Sequence, residues 1–214
     1  MTLDYVNIFF QVIVFLFAIS VHESAHAWMA WRLGDPTARM LGRVSLNPLQ
    51  HIDPVGTLLV PAILLLTHSP YVFGWAKPTP VDPRNFQHEM RDDILTSVAG
   101  PTSNFLIAIL SILTLRFLMA FGSAISISEP LARLLGLSVE INVLLGVFNL
   151  IPIPPLDGSH VLRHMLPDSI REIYDRVGMF GLLLLFVLGG RGLIGFFSSL
   201  VQGLLIHTFL GGRF

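Results

Sequence analysis

The chain has 214 residues, a formal net charge of −1 and no cysteine. Hydrophobic residues make up 53% of it and charged residues only 13%, with a mean hydropathy of +0.70. A soluble domain carries about 25% charged residues, so the composition excludes an ordinary soluble domain, a basic nucleic-acid binder, a disulfide scaffold and any thiolate metal site or cysteine nucleophile.

Residues 5–31 are apolar and long enough to cross a bilayer. No Lys or Arg precedes this run and no small-residue cleavage site follows it, so it is expected to be a retained transmembrane helix and not a signal peptide. Gly34, Asp35 and Pro36 stop it. Residues 37–53 are mixed. Residues 55–67 form a second apolar run, short for a span and broken by Pro61. Residues 70–93 are the most polar region. A long apolar segment at 94–121 opens with AGPTSN, and residues 122–137 read as a connection. A further apolar run at 138–151 leads into NLIPIPPLDGSH, and the runs at 177–189 and 193–210 read as a helical hairpin. The expected fold is therefore an all-α polytopic membrane protein, one domain over residues 1–214. It would have about five transmembrane helices and a re-entrant or interfacial hairpin segment.

Loop charges orient these spans. Arg32, Arg39 and Arg43 follow the first helix, while its N-terminal flank has only Asp4. By the positive-inside rule the N-terminus is outside and residues 32–53 are cytoplasmic. Lys77, Arg84 and Arg91 make the 70–93 loop basic as well. Both loops lie on one side only if residues 55–67 re-enter without crossing, which protein must bury.

Inside the first run stands HESAH, residues 22–26. His22 and His26 at i, i+4 lie one turn apart on one helix face, so both imidazoles reach one ion. Glu23, rotated by about 100°, can act on a water without ligating. An ionisable cluster within a span marks a functional site. A catalytic zinc takes three protein ligands. Asp157, after an apolar helix and before Gly158, falls at the depth of His22 if the topology holds; a turn or N-cap role is the alternative.

HESAH, GWAKPTPVDPRNF, AGPTSN and FNLIPIPPLDGSHVL together resemble the site-2 protease family of intramembrane zinc metalloproteases, in particular compact bacterial members without PDZ or CBS domains. The resemblance implies one zinc per chain on His22, His26 and Asp157, and Glu23 as the catalytic base. It places Asn149 near the scissile bond, and Asn104 falls on a family motif position. Either amide could donate to the oxyanion; interhelical hydrogen bonding is the alternative. The implied activity is cleavage within a transmembrane segment of a single-span membrane-protein substrate, with the lipid bilayer as surroundings, the plasma membrane as location and the site toward the cytoplasm.

Unwinding a helical substrate would be helped by strand addition. Residues 42–48 and 71–81 are candidate short membrane-associated β-strands, with Tyr71 and Trp75 as interfacial anchors in the alternative reading. His51 is a candidate for a second metal or for supporting the site, and His160 for orienting a ligand. His68, His88, His164 and His207 read as interfacial, and Asp92 and Asp93 as helix N-terminal carboxylates. A membrane di-iron oxygenase would need several more paired-His boxes. A transporter would spread polar groups along several helices, and an inactive scaffold would have lost Glu23 or a ligand.

Overall fold

Tyr5–Arg32 is one helix, α1, because its 28 residues include no proline or glycine. In a computed structural model the described residues are 5–67, 74–120, 129–187 and 190–210. After α1 comes one turn of helix, α2 (Thr37–Met40). Residues 54–66 are a π-helical turn, Pro54–Leu59, running into α3 (Val60–Leu66). Asp53 caps the turn by accepting from the amides of Val55 and Gly56 at 2.9 and 2.6 Å.

Residues 74–82 form an extended strap over the end of α1. Three of its amides point into the protein: Trp75 to the Gly56 carbonyl at 3.2 Å, Lys77 to the His51 carbonyl at 2.9 Å, and Thr79 to Glu23 at 3.0 Å. Arg43 closes the other side by donating to the carbonyls of Gln50, Lys77 and Pro78. These partners are loop carbonyls and side chains, not a parallel row of backbone groups. No strand therefore forms among the described residues at 42–48 or 74–81, where strands were expected. Tyr71 and His68 lie outside the described residues.

Helix α4 (Glu89–Ala120) starts five residues before the apolar run, because Asp92 reaches back to accept from the His88 amide at 2.9 Å. It runs antiparallel to α1, pairing Thr96 with His26 and Asn104 with His22. α5 (Glu129–Asn149) runs antiparallel to α4, pairing Ser138 with Ser111 and Asn142 with Asn104. Consequently α1 and α5 run the same way. α5 absorbs residues 129–137, expected as a connection; Glu129 and Arg133 hid the helix from a reading by apolar runs. A short helix, α6 (Gly158–Met165), then precedes the pair α7 (Asp168–Val187) and α8 (Gly190–Leu210). α8 packs Val201, Leu205 and Phe209 against the core of Ala108, Ile112, Val139 and Val143.

Large apolar side chains point outward: Phe9 and Phe17 on α1, Leu106, Leu110 and Phe117 on α4, and Phe196, Leu200 and Leu204 on α8. The inside holds small and polar residues such as Ala18, Ala27, Ala30, Ala99, Ser20 and Asn142. That inversion belongs to helices packed in lipid, where small residues let backbones approach and polar groups join helices. Among the described residues three helices, α1, α4 and α5, are long and apolar enough to cross a membrane, and Pro54–Leu64 and Ile194–Phe209 are shorter apolar helical stretches. The architecture is that of an all-helical membrane protein.

Candidate metal centre

One face of α4 builds the site. Asp93, Thr96, Gly100 and Asn104 recur at helical spacing along it. Gly100 faces both histidines of α1: a Cβ there would lie 2.3 Å from His26 Nε2 and 2.6 Å from His22 Cε1. Only glycine lets α4 come this close. Either side of Gly100, the Thr96 carbonyl lies 2.7 Å from His26 Nδ1 and Asn104 Oδ1 lies 2.6 Å from His22 Nδ1.

Asp157 completes the set from the loop after α5. Its side chain makes no cap to α6, unlike the alternative weighed from sequence. It turns instead to α1, where Oδ2 is 3.2 Å from His22 Nε2 and 3.4 Å from His26 Nε2. The two Nε2 atoms are 3.0 Å apart. Zinc bonds of about 2.0–2.1 Å in tetrahedral geometry require ligand atoms about 3.3 Å apart. The triangle therefore has the edge length of one tetrahedral face, and these three residues form a group able to hold a metal ion.

Hydrogen-bond polarity makes the fit stronger. The Thr96 carbonyl only accepts, so His26 Nδ1 donates to it and Nε2 is left with its lone pair. Asn142 Nδ2 donates to the Ser138 carbonyl at 2.9 Å, which leaves Asn142 Oδ1 to accept from Asn104 Nδ2 at 2.9 Å. Asn104 Oδ1 must then accept from His22 Nδ1, and His22 Nε2 is also left with a lone pair. Asp157 Oδ2 is buried with no hydrogen-bond donor. Three lone pairs converge on one point, an arrangement that a cation relieves.

Glu23 sits beside the triangle and outside it. Its Oε2 accepts from the Thr79 amide at 3.0 Å and the Thr79 hydroxyl at 2.7 Å. Among the described residues no donor reaches Oε1. Asn104 is fully buried with both ends of its amide engaged, whereas Asn149, at the last turn of α5, is half-buried and donates to the Leu145 carbonyl at 3.1 Å.

The remaining histidines divide. His51 is buried and donates through Nε2 to the Ser45 carbonyl at 2.7 Å, so it holds the loop against α1 and faces no second cluster of ligands among the described residues. His160 does not orient Asp157 through its ring; its Nδ1 faces Asp93 at 3.1 Å, and this bond raises its pKa above the ordinary 6.5. His164, expected at the interface, is nearly buried on the same carboxylate, while His88 and His207 are exposed. Thr79, Asn142, Gly100 and Asp93 are the site's supports that sequence reasoning missed. Helical spacing from Asn104, one turn on along the same face of α4, marks Gly100 in retrospect; nothing local marks Thr79.

Residues 118–188 match the model of peptidase family M50. The "Putative zinc metalloprotease YwhC" of Bacillus subtilis is 35% identical over 181 residues, 84% of this chain and 79% of that protein. Two mycobacterial proteins of the same description, named Rip2, are also similar. The one from Mycolicibacterium smegmatis is 32% identical over 80% of this chain, which spans 63% of that protein. The one from Mycobacterium tuberculosis H37Rv is 29% identical over 87% of this chain and 69% of its own length. No solved structure matches. A ligand triangle of zinc dimensions on a membrane helix, with a glutamate beside it, agrees with this kinship: the chain belongs to peptidase family M50, the site-2 protease family of zinc metalloproteases, and is a peptide hydrolase.

Proposed function

We propose that the chain is an intramembrane endopeptidase, a single domain holding one zinc ion between His22, His26 and Asp157. It cuts a peptide bond within a transmembrane segment of a single-span membrane-protein substrate. The observation that carries this reading is the convergence of three lone pairs, 3.0–3.4 Å apart, two of them on a helix long and apolar enough to span. The basic loops support a plasma-membrane protein with several passes, its N-terminus outside and the site toward the cytoplasm.

When bound, zinc lowers the pKa of a coordinated water and polarises the scissile carbonyl. Glu23 takes the water's proton on Oε1, since Thr79 occupies Oε2, and delivers it to the leaving amine. Asn149 stands at the mouth of the loop that carries Asp157. A side-chain rotation frees its amide from Leu145 to donate to the oxyanion, an effect of about 3 kcal/mol in comparable sites. Asn104 holds the His22 ring, its own donor being engaged by Asn142.

The test is zinc per chain in detergent-purified wild type, His22→Ala, Asp157→Ala and Glu23→Gln, with cleavage of a single-span reporter by each. One zinc in wild type and Glu23→Gln, its loss in the other two, and cleavage by wild type alone are expected. Wild type without metal after zinc is supplied, or full zinc in Asp157→Ala, overturns the ligand set; a Glu23→Gln enzyme that still cleaves removes Glu23 as base.

A further inference from the structure

The third ligand comes from a weak place. Asp157 lies on a loop rich in proline and is followed by α6, a helix of only eight residues. Its carboxylate reaches the tips of the two imidazoles at 3.2 and 3.4 Å, a contact that depends on where the backbone of this segment is held against α1.

A carboxylate on α4 holds it. Asp93 is 9% exposed at its side chain and faces two histidines one turn apart on α6. His164 Nε2 lies 2.7 Å from Asp93 Oδ2, and His160 Nδ1 lies 3.1 Å from the same oxygen. The His164 ring is itself only 10% exposed. A carboxylate accepting from two imidazoles is a charge-assisted pair of bonds, stronger than neutral ones. α6 thus has its hold on the face of α4 that also carries Thr96, Gly100 and Asn104. One rigid helix positions both halves of the triangle: the histidines through Thr96 and Asn104, and the aspartate through Asp93.

We propose that Asp93, clasped by His160 and His164, is a positioning residue for the third metal ligand: it sets where Asp157 meets His22 and His26. This rests on the reading of those three residues as the ligand set. The clasp ties α6 to α4, whereas Glu23 is held by Thr79 of the strap, so the clasp acts on metal affinity and geometry and not on the base.

The experiment uses the full chain in detergent, with zinc affinity from chelator competition and the visible spectrum of the cobalt-loaded protein. Asp93→Asn is expected to weaken zinc about 10–100-fold, as loss of a ligand's support does, and to change the cobalt spectrum. His164→Leu should do the same in smaller measure, and His164→Gln, which restores an N–H donor toward Asp93, should recover the wild-type spectrum. Loss of helix packing alone lowers the unfolding temperature of the metal-free protein but does not distinguish Gln from Leu in the spectrum. Wild-type affinity and spectrum in Asp93→Asn overturn the clasp while leaving the ligand set standing. Wild type that binds no zinc overturns the ligand set itself. Should Asp93→Asn fail to fold, the His164 pair decides: equal spectra for Leu and Gln variants overturn the proposal.

Discussion

Thr79 meets Glu23 twice on one atom: its amide, at 3.0 Å, and its hydroxyl, at 2.7 Å, both donate to Oε2. The strap thereby fixes which carboxylate oxygen is available to act as base. Thr79→Val removes the hydroxyl donor and keeps the amide. A hydrogen bond to a charged group contributes about 1.5–3 kcal/mol. Turnover of a single-span reporter is expected to fall roughly 10–100-fold with zinc content unchanged, and Thr79→Ser to recover most of it. Full turnover in Thr79→Val means the amide alone orients the glutamate.

The far end of the strap is tied down by Asp35, whose side chain is fully buried. It accepts from the Asp82 amide and the Asn85 side chain, both at 2.8 Å, and from the amide and hydroxyl of Thr37. Burial pushes the Asp35 carboxyl up, but the donors from Thr37, Asp82 and Asn85 outweigh it and hold the pKa below the ordinary 3.8. A depressed carboxyl contributes stability that is present above its unfolded pKa and lost as pH falls through the folded value. Asp35→Asn should cost about 1–3 kcal/mol at neutral pH by leaving a donor without an acceptor. The measurement is the difference in thermal unfolding between wild type and Asp35→Asn across pH. It should be constant from neutrality to about pH 5 and shrink below about pH 4. A gap equally large well below that means the charge contributes nothing.

Much of the site was legible because its ligands obey a helical period. His22, Glu23 and His26 occur within five residues in a segment with no other Asp, Glu, His, Lys or Arg between Asp4 and Arg32, so their cost in lipid singled them out. Asp157 was legible through its matching depth. Thr79 was not: a threonine between two prolines in a polar loop has no local signal, and its role arises only when the strap folds back on α1. The same holds for Asp93, which reads as a helix N-terminal carboxylate. Asp92 fills that role, and Asp93, one residue on, is turned by about 100° toward α6. The expected strands failed for a related reason: β-branched and aromatic residues punctuated by Gly and Pro suggested strands, and the strap is extended, but partners from scattered loops satisfy its hydrogen bonds.

Gly100 gives a sharp steric test. A methyl group there would stand 2.3 Å from His26 Nε2, which cannot retreat without losing the Thr96 carbonyl. Gly100→Ala is expected to abolish stoichiometric zinc binding while leaving the protein helical. Gly136→Ala, on the neighbouring helix with nothing within 4 Å of the added carbon, should bind zinc as wild type does. Zinc per chain and circular dichroism measure both, and a Gly100→Ala protein with full zinc would mean that α4 shifts freely, against the close approach seen here.

The buried amide pair makes the last prediction. Asn104 and Asn142 are both fully buried, and their amides pass one direction of donation from His22 to the Ser138 carbonyl. Asn104→Leu leaves His22 Nδ1 without an acceptor and should weaken zinc about 10–100-fold. Asn142→Leu removes the group that orients the Asn104 amide. That amide is then free to flip and present its NH2 to the ring, so a smaller loss is expected. Since both act through one imidazole, the double variant should bind zinc no more weakly than Asn104→Leu alone. Ser138→Ala keeps the accepting carbonyl and should leave affinity unchanged. Additive losses in the double variant would mean that Asn142 serves the packing of α5 against α4, and that the tautomer of His22 is set by Asn104 without it.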